Sequence, residues 1–432
     1  MRISVIGAGY LGATHALCMA SLGHEVVVVD IDAERIQQFN EGSIPFFEPG
    51  LAELFQKVRQ SGKLSFTTQM QNISGCEMHF LCIGTPQSKD GMRADLSALE
   101  SAFSSVLEHA TVGSTIVGKS TVPVGTAQRL ADVIESHQKQ LALNWNPEFL
   151  REGHAVADTL HPNRIVIGAR TAQEAKRLAD FYQGVSPDAP QFITNFPTAE
   201  LVKVAANAFL ATKISFINAM SEVADATGAD VSLLADAIGV DDRIGRKFLG
   251  AGIGFGGGCL PKDIRAFLAR AEELGLGDSL NFLHEFDLIN QRARSRAVAV
   301  ALQELGDPRG KKVAVLGVAF KPDSDDVRDS PALEIAQTLS GLGATVSVHD
   351  PRALASAAAK APELHYSDSI PETLRGADLT MHLTEWALYR TLEPQVLREL
   401  VKTPTIFDGR NVLEVTAWQG AGWKLLALGR PL

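Results

Sequence analysis

Cysteine is scarce in this chain of 432 residues, and the four that occur are scattered at Cys18, Cys76, Cys82 and Cys259. Their spacing matches neither a zinc site nor a disulfide framework. Long apolar runs are also lacking: no stretch of about 18 apolar residues occurs, and the chain enters a strand pattern at once, a pattern from which we expect no secretory leader. These absences predict a cytoplasmic protein with reduced thiols, no membrane partner and no metal centre.

Positive charge is in short supply as well. The chain has 40 Lys and Arg against 50 Asp and Glu, a net charge of −10, and no long basic run. This balance argues against nonspecific binding to nucleic acid, so local basic residues and helix ends would have to hold an anionic ligand. A hydrophobic content of 45% supplies ample core. The length predicts two or three domains.

The first 30 residues carry a dinucleotide-binding pattern. An apolar run leads into Gly7-Ala8-Gly9-Tyr10-Leu11-Gly12 and a helical stretch, and a second apolar run ends in Asp30. The first glycine allows a tight turn, the second admits a pyrophosphate, and the third lets the helix pack close to the strand. An acid at position 30 accepts from ribose hydroxyls and repels a 2′-phosphate, which favours NAD over NADP.

Polar turns follow two later strand-like runs, and these turns contain Thr85 and Thr121. Ligands of doubly wound sheets bind beyond the carboxyl ends of the strands, although turn chemistry is the simpler explanation of both threonines. In the next segment Glu148 and Glu152 lie four residues apart. They fit either a solvated helix face or acid–base groups near the cofactor. The first domain should have six to eight strands and end near residue 195.

A long helix is predicted from Thr198 to about Thr227, where neither proline nor glycine occurs. Lys203 and Asn207 are four residues apart and therefore share a face of this helix. Such a helical region between two α/β domains commonly forms a dimer core. Lys203 and Arg243 could equally be plain surface residues.

The most unusual stretch is GFGGGCLPKD at 254–263. Its glycines let the backbone approach a ligand closely, and Pro261 suits the first turn of a helix. Cys259 is therefore expected at a helix N-terminus, where backbone N–H groups stabilise a thiolate. The alternative is a glycine turn with a small buried cysteine, and with Asp263 capping the helix. This stretch alone leaves both interpretations open.

The strand–turn–helix pattern restarts at Lys311, which indicates an internal repeat. Ala319 and Pro322 stand where the second and third glycines of the fingerprint would be, so this half should not hold a second NAD in the same manner. Residues 323–329 have the composition of a charged surface loop. The predicted elements are a helix at 331–342 and strands at 312–316, 345–348, 379–383 and 404–407.

Together these segments resemble the UDP-glucose/GDP-mannose dehydrogenase family over essentially the whole chain. The landmarks are GAGYLG at 7–12, STVPVGT at 120–126, NPEFLREG at 146–153, KVAANAFLATKISFIN at 203–218, DDRIG at 241–245, GFGGGCLPKD at 254–263, AFKPDSDDVR at 319–328 and FDGR at 407–410. AANAFLATKISFIN and IPFFEPGL are more similar to the UDP-glucose branch. Three positions depart from the family pattern: Gly258 replaces Ser, Leu260 replaces Phe, and Trp145 replaces a small residue.

The resemblance implies an α/β fold with two Rossmann-like doubly wound parallel-sheet domains, joined by a long central helix and a helical dimerisation region. The implied domains are 1–197 for NAD binding, 198–305 for dimerisation and the catalytic cysteine, and 306–432 for UDP-sugar binding. It also implies a homodimer in which Arg243 reaches the neighbouring subunit's site.

The implied activity is NAD-dependent, four-electron oxidation of UDP-glucose to UDP-glucuronate through a Cys259 thiohemiacetal and thioester, which would serve polysaccharide biosynthesis. The implied catalytic residues are Cys259, Lys203 and Asn207 (oxyanion), Asp263 (water), and Glu148 and Thr121 (thioester hydrolysis). The implied cofactor contacts are Gly7, Gly9, Tyr10, Leu11, Gly12, Asp30, Arg35, Thr85, Thr121, Glu152 and Arg328. The implied substrate contacts are Glu148, Phe149, Leu150, Arg151, Glu152, Lys203, Asn207, Arg243, Phe248, Gly252, Phe255, Gly256, Lys321 and Arg410.

Two alternatives remain at this point. The first keeps the chemistry and changes the substrate to GDP-mannose or UDP-N-acetylmannosamine. The second is a catalytically silent NAD-binding regulatory subunit, which is suggested by Gly258 beside the nucleophile. The intact Lys203, Asn207, Cys259 and Asp263 argue against the second alternative.

Overall fold

The computed structural model describes residues 1–137 and 140–431, and it divides the chain into two compact units. The first unit comprises Met1–Ala206 and Arg265–Gly275, and the second comprises Asn207–Ile264 and the chain from Leu276 onward. Each unit has its own sheet and its own hydrophobic core. The predicted fold class is confirmed, whereas the three-domain division at residues 197 and 305 stays a prediction.

The sheet of the first unit has eight strands in the order β3-β2-β1-β4-β5-β6-β7-β8. They are β1 (Arg2–Ile6), β2 (Glu25–Val29), β3 (Leu64–Thr67), β4 (Met78–Leu81), β5 (Thr115–Gly118), β6 (Ala142–Trp145), β7 (Ile165–Gly168) and β8 (Gln191–Thr194). All neighbouring strands are parallel except β6 and β7, which pair antiparallel through Trp145 and Gly168. The last two strands therefore run against the first six.

The helices that begin in the first unit cover its sheet, so the inner strands are apolar on both faces. They are α1 (Tyr10–Ser21), α2 (Ala33–Glu41), α3 (Leu51–Arg59), α4 (Ser97–His109), α5 (Thr126–Ser136), α6 (Ala155–Leu160), α7 (Ala172–Val185) and α8 (Phe196–Thr227), with a 3-10 helix at Met70–Ile73. The long helix α8 continues into the second unit. It begins two residues before the predicted start at Thr198 and ends at Thr227, as predicted.

Trp145, one of the three departures from the family pattern, is completely buried. Its partner in β5 is Gly118. A Cβ atom on Gly118 would lie within 2.6 Å of the Trp145 ring, far inside van der Waals contact. The large side chain at 145 is therefore accommodated by the missing side chain at 118.

The sheet of the second unit has six parallel strands in the order β11-β10-β9-β12-β13-β14. They are β9 (Lys312–Leu316), β10 (Thr345–His349), β11 (His365–Tyr366), β12 (Leu379–His382), β13 (Thr405–Asp408) and β14 (Lys424–Ala427). The helices that follow α8 are α9 (Val231–Gly239), α10 (Leu260–Glu273), α11 (Asn281–Leu305), α12 (Pro331–Gly341), α13 (Leu354–Lys360), α14 (Ile370–Leu374), α15 (Ala387–Arg390), α16 (Pro394–Arg398) and α17 (Val415–Gly420), with a 3-10 helix at Gly277–Leu280. The strands predicted here agree with the structure within one residue at each end.

The repeat predicted from the sequence is visible at the aspartates that follow β2 and β10. The carboxylate of Asp30 accepts a hydrogen bond from the backbone N–H of Ala8 at 2.6 Å. Asp350 accepts from Val318 at 2.8 Å, from Ala319 at 2.9 Å and from the indole of Trp386 at 3.2 Å. Unlike α1, helix α12 does not follow the first turn directly, because the loop 320–330 lies between them.

Across the ranges 1–137 and 140–431, no helix combines the length and apolar character needed to cross a membrane.

Candidate active site

The glycine turn of the first unit has the shape that a pyrophosphate requires. Gly7 has a left-handed φ of +98°, and a Cβ there would lie 2.6 Å from the carbonyl oxygen of Cys82. A Cβ on Gly12 would overlap the carbonyl of Gly7, whereas a Cβ on Gly9 would meet nothing within 4 Å. The space beside Gly9 is therefore open, and Tyr10 and Leu11 begin α1 without a side-chain cap. The first N–H groups of the helix are arranged to bind phosphate.

Asp30 provides the carboxylate expected for a ribose. It is 9% exposed, and its oxygens accept from the N–H groups of Ala8 and Asp32 at 2.6 and 2.9 Å. The guanidinium of Arg35 lies 3.2 Å from the same carboxylate. A carboxylate has roughly four acceptor sites, so one remains for a ligand hydroxyl. These residues fit NAD, and Gly7, Gly9, Gly12, Asp30 and Arg35 lie together.

Thr85 and Thr121, predicted on two different turns, are joined directly. The Thr85 hydroxyl donates to the carbonyl of Thr121 at 2.7 Å. The neighbouring Lys119 is buried and donates from Nζ to Asn146 at 2.9 Å and to Tyr182 at 3.1 Å. Sequence reasoning did not single out Lys119, although it directly precedes the STVPVGT motif. It links the end of β5 to the start of the NPEFLREG segment.

Glu148 and Lys203 form a buried ion pair in the first unit. Lys203 Nζ donates to Glu148 Oε1 at 3.1 Å, and Leu150 N donates to Oε2 at 2.7 Å. The Lys203 side chain is 6% exposed and the Glu148 side chain is 13% exposed. The Phe149 ring lies 5.5 Å from the Lys203 ammonium and 3.8 Å from the Arg164 guanidinium. Glu148, Phe149, Leu150 and Lys203 thus form one cluster.

Glu48, which sequence reasoning missed, organises the segment that follows. Its carboxylate accepts from the N–H groups of Gly153 and Ala155 at 2.7 Å each and also binds the hydroxyl of Tyr10. Burial and the Glu48 carboxylate raise the pKa of Tyr10. Glu48 lies in the segment IPFFEPGL, and the similarity of this segment to the UDP-glucose branch was the available sequence signal. Glu152, which lies between Arg151 and Gly153 in the sequence, is half-buried.

Arg151, predicted to contact the substrate, is paired with its own chain. Its Nε and Nη2 donate to Asp158 at 2.9 and 2.7 Å. This pair is partly exposed to solvent.

In the second unit, Cys259 directly precedes α10. The carbonyl of Cys259 accepts from Asp263 N at 3.0 Å, which is the first bond of the helix. Its side chain is exposed. The expected position at a helix N-terminus is confirmed, and the alternative of a small buried cysteine is wrong.

Asp263 is buried one turn beyond the cysteine. Its Oδ2 accepts from Asn207 Nδ2 at 2.7 Å, and its Oδ1 accepts from Lys262 Nζ at 2.6 Å. The structure therefore joins two predicted catalytic residues and adds Lys262, which was missed although it lies in the quoted motif.

Three consecutive residues of the segment before Cys259, Gly252 to Gly254, form hydrogen bonds with other parts of the second unit. Gly252 N donates to Asn218 at 2.9 Å, Ile253 N donates to the carbonyl of Gly409 at 3.0 Å, and Arg410 Nη1 donates to the carbonyl of Gly254 at 2.8 Å. Arg410 also donates to the carbonyl of Leu383 at 2.7 Å. Its guanidinium thus braces the segment from within the protein. The predicted substrate contacts Gly252 and Arg410 are brought together here.

The loop 320–330 packs directly against the glycines of this segment. A Cβ on Gly257 would lie 2.7 Å from the Phe320 ring, and a Cβ on Gly258 would lie 2.6 Å from Arg328 Nη1. A Cβ on Gly256 would overlap the carbonyl of Asp329. The interpretation of 323–329 as a charged surface loop is wrong for its middle, where Ser324 and Val327 are buried, because the glycines let the loop approach.

The remaining predicted residues of the second unit are more exposed. Arg243 is 88% exposed and pairs with Asp241, with Nη2 2.6 Å from the carboxylate. Phe248 has an unusual φ of +66° and is 40% exposed. Lys321 Nζ lies 5.5 Å from the Phe320 ring. Arg328 pairs with Asp326, with Nη2 2.7 Å from the carboxylate.

Within the described parts of the chain, no three His, Cys, Asp or Glu side chains are grouped as metal ligands.

Three models of one protein family match the chain in order. Residues 1–186 match its NAD binding domain, residues 197–292 its central domain and residues 314–415 its UDP binding domain. The chain belongs to the UDP-glucose/GDP-mannose dehydrogenase family. It is accordingly an NAD-binding dehydrogenase, and the glycine turn and Asp30 lie in the part that matches the NAD binding domain.

Relatives within the family match from end to end. The UDP-glucose 6-dehydrogenase TuaD of Bacillus subtilis is 40% identical, covering 100% of this chain and 93% of that protein. The UDP-glucose 6-dehydrogenase of Pseudomonas aeruginosa is 36% identical, covering 100% and 98%. Among solved structures, a UDP-glucose dehydrogenase from Pyrobaculum islandicum superposes with a TM-score of 0.87 at 36% identity, covering 96% of this chain and 98% of that chain. A UDP-D-ManNAc dehydrogenase from Pyrococcus horikoshii gives the same TM-score at 28% identity, covering 100% of both.

Proposed function

We propose that this chain oxidises UDP-glucose to UDP-glucuronate, a four-electron oxidation at C6. The observation that carries the proposal is Cys259, exposed at the start of α10, with the hydrogen-bonded pair Asn207 and Asp263 in the same unit. Support for this sugar comes from relatives named UDP-glucose 6-dehydrogenase that are 36 to 40% identical over the whole chain.

The glycine turn, Asp30, Arg35, Thr85, Thr121, Glu152 and Arg328 would hold the cofactor. Bound NAD supplies the acceptor for a hydride, and the complete oxidation requires two such acceptors in succession. On the protein side, Lys203 and Asn207 donate to the C6 oxygen as negative charge develops on it. Both are buried polar groups on one helix, α8, which limits competition from water.

Cys259 makes the second oxidation possible. Its thiolate adds to the C6 aldehyde carbon, forming a C–S bond and a thiohemiacetal oxyanion. Oxidation of this adduct leaves a thioester on the sulfur. Water then attacks the thioester carbon, the C–S bond breaks, and the carboxylate leaves as the thiol is regenerated. Asp263, Glu148 and Thr121 are the groups proposed to orient and deprotonate that water.

The remaining predicted contacts, Phe149, Leu150, Arg151, Phe248, Gly252, Phe255, Gly256, Lys321 and Arg410, belong to the proposed UDP-sugar site. The strongly exposed Arg243 would act in the partner subunit of a homodimer. Cytoplasmic location is part of the same proposal.

The test is NADH absorbance against limiting UDP-glucose, with GDP-mannose and UDP-N-acetylmannosamine measured alongside. We expect two NADH per UDP-glucose and no turnover of the other two. Turnover of UDP-N-acetylmannosamine alone would instead assign the chain to the branch of the family that includes the UDP-D-ManNAc dehydrogenase of Pyrococcus horikoshii. A ratio of one NADH per sugar would eliminate the thioester route.

Cys259→Ser separates the enzyme from a silent NAD-binding subunit. We expect this variant to bind NAD as the wild type does and to lose multiple turnover. Wild-type protein that binds NAD but oxidises none of the three sugar nucleotides would instead support a regulatory subunit.

A further inference from the structure

Two polar side chains of α11 bind the backbone of the segment that leads to Cys259. Asn290 Oδ1 accepts from Phe255 N at 2.8 Å, and Asn290 Nδ2 donates to Phe255 O at 3.0 Å. One turn further, Arg294 Nη2 donates to the same carbonyl at 3.0 Å. Both groups of the Phe255 peptide backbone are thus satisfied by side chains of one helix, four residues before the cysteine.

Arg294 also binds the loop on the other side of the segment. Its Nη1 donates to Asp329 Oδ1 at 2.9 Å and contacts the carboxylate of Glu334 at the start of α12. Asp329 belongs to the loop 320–330, whose residues pack against Gly256, Gly257 and Gly258. One guanidinium therefore connects the backbone before the nucleophile with the loop that covers its glycines.

Both side chains are deeply buried: Asn290 is 1% exposed and Arg294 is 6% exposed. Burying a cation is costly even when it is paired, and buried ion pairs often contribute little net stability compared with apolar residues. An amide and a guanidinium do supply directed donors and acceptors, which an apolar pair would not. The arrangement therefore favours a role in fixing backbone position.

We propose that Asn290 and Arg294 are positioning residues for Cys259. Glycine has the widest conformational freedom of any residue, and four of the five residues from Gly254 to Gly258 are glycine. Gly254 and Gly257 adopt left-handed φ angles of +89° and +88°. Phe255 is the one non-glycine residue of this run, and α11 holds it by three hydrogen bonds. These hydrogen bonds fix the position of Cys259 relative to the first turn of α10.

The proposal rests on the proposed role of Cys259 as the nucleophile, so its test has two readouts. Arg294→Lys keeps the charge but cannot bind the Phe255 carbonyl and Asp329 through two separate nitrogens. Asn290→Ala removes both amide contacts without touching an ion pair. Arg296→Lys is the matched control, because Arg296 lies on the same helix but bonds to Ser221 at 2.8 Å and to Asp225.

The first readout is steady-state kinetics on UDP-glucose. A displacement of about 1 Å at a reacting group costs roughly 100-fold in rate. We expect kcat of Arg294→Lys and Asn290→Ala to fall by about that factor, while the KM for UDP-glucose of each variant stays within about threefold of the wild-type value. Arg296→Lys should resemble the wild type in both kcat and KM. A rise in KM with unchanged kcat, or equal losses in Arg294→Lys and Arg296→Lys, would overturn the proposal.

The second readout needs no turnover: the rate of iodoacetamide alkylation of Cys259 at neutral pH, followed by mass spectrometry. The cysteine is already exposed, so access does not limit the reaction. Alkylation should slow in both variants because the thiolate loses its alignment with the N–H groups of α10. If the wild type oxidises no sugar nucleotide, the proposed function fails but alkylation still decides the positioning role. Alkylation at the wild-type rate in Asn290→Ala overturns it, and that variant carries the test if Arg294→Lys does not fold.

Discussion

Alanine substitution at Gly256, Gly257 and Gly258 in turn tests the close approach of the loop 320–330. A Cβ at Gly257 would lie 2.7 Å from the Phe320 ring, where ordinary contact begins at 3.4 Å. The ring must move by about 0.7 Å, and such overpacking costs roughly 1–3 kcal/mol. The φ of +88° adds roughly 1–2 kcal/mol for any residue with a side chain.

The obstacles at the two neighbouring positions differ in kind. At Gly256 a Cβ would overlap the backbone carbonyl of Asp329 and lie 2.8 Å from Pro331 Cδ, and neither can rotate away. At Gly258 the obstacle is the guanidinium of Arg328, the end of a flexible and largely exposed side chain. Moving it disturbs only a surface ion pair, worth about 1 kcal/mol or less.

We therefore expect free energies of unfolding to fall by roughly 2–5 kcal/mol for Gly257→Ala, by roughly 3 kcal/mol or more for Gly256→Ala, where backbone must move, and by under about 1 kcal/mol for Gly258→Ala. Urea denaturation followed by circular dichroism measures these changes. Gly250→Ala is the matched control, because a Cβ there meets nothing within 4 Å. If Gly257→Ala were as stable as Gly250→Ala, or if Gly258→Ala were the least stable, the described packing would be refuted.

Further substitutions test other parts of the first unit. Gly118→Ala should lower the free energy of unfolding by roughly 1–3 kcal/mol because its Cβ meets the Trp145 ring. Gly118→Ala combined with Trp145→Ala should lose less than the sum of the two single losses, because the clash disappears with the ring. Burial raises the pKa of Glu200 to about 7, although hydrogen bonds from the N–H groups of Ala127 and Gly125 act in the opposite direction. The stability that Glu200 contributes is therefore complete below about pH 4.5 and is lost as the pH rises through about 7. Between about pH 4 and pH 8 the wild type should therefore lose on the order of 3 kcal/mol relative to Glu200→Gln, measured by urea denaturation; equal pH profiles would contradict this. Asp30→Ala should raise the KM for NAD about tenfold or more through loss of charged hydrogen bonds, with the KM for the sugar nucleotide unchanged as the control.

The elements that sequence patterns predicted well are those with a local signal. The strand, the glycine turn and the Asp30 that follows β2 lie where the pattern placed them, because turn geometry and hydrophobic periodicity are properties of a few adjacent residues. The same holds for Cys259 at the start of α10, where glycine, cysteine and proline follow one another.

Contacts between distant segments could not be predicted in this way. Asn290 and Arg294 lie in the middle of a helix, where polar residues usually face water, and only the fold brings them to Phe255. Likewise, the composition of 323–329 indicates exposure, but its approach to the glycines depends on residues that lie about 70 positions earlier in the chain. The pairing of Gly118 with Trp145 depends on the register of two strands.

The two aspartates that follow β2 and β10 occupy corresponding places in the two sheets but differ in the number of hydrogen bonds that they accept. Among the described residues, Asp30 accepts three hydrogen bonds, and Asp350 accepts five, from Val318, Ala319, Arg352, Ala353 and the indole of Trp386. With roughly four acceptor sites on a carboxylate, Asp350 is saturated by its own chain. A ribose hydroxyl would have to expel a buried indole to reach it. The carboxylate proposed to bind a ribose in the first unit thus corresponds to one that is occupied by its own chain in the second, so a nucleotide bound to the second unit would have to be recognised by other groups.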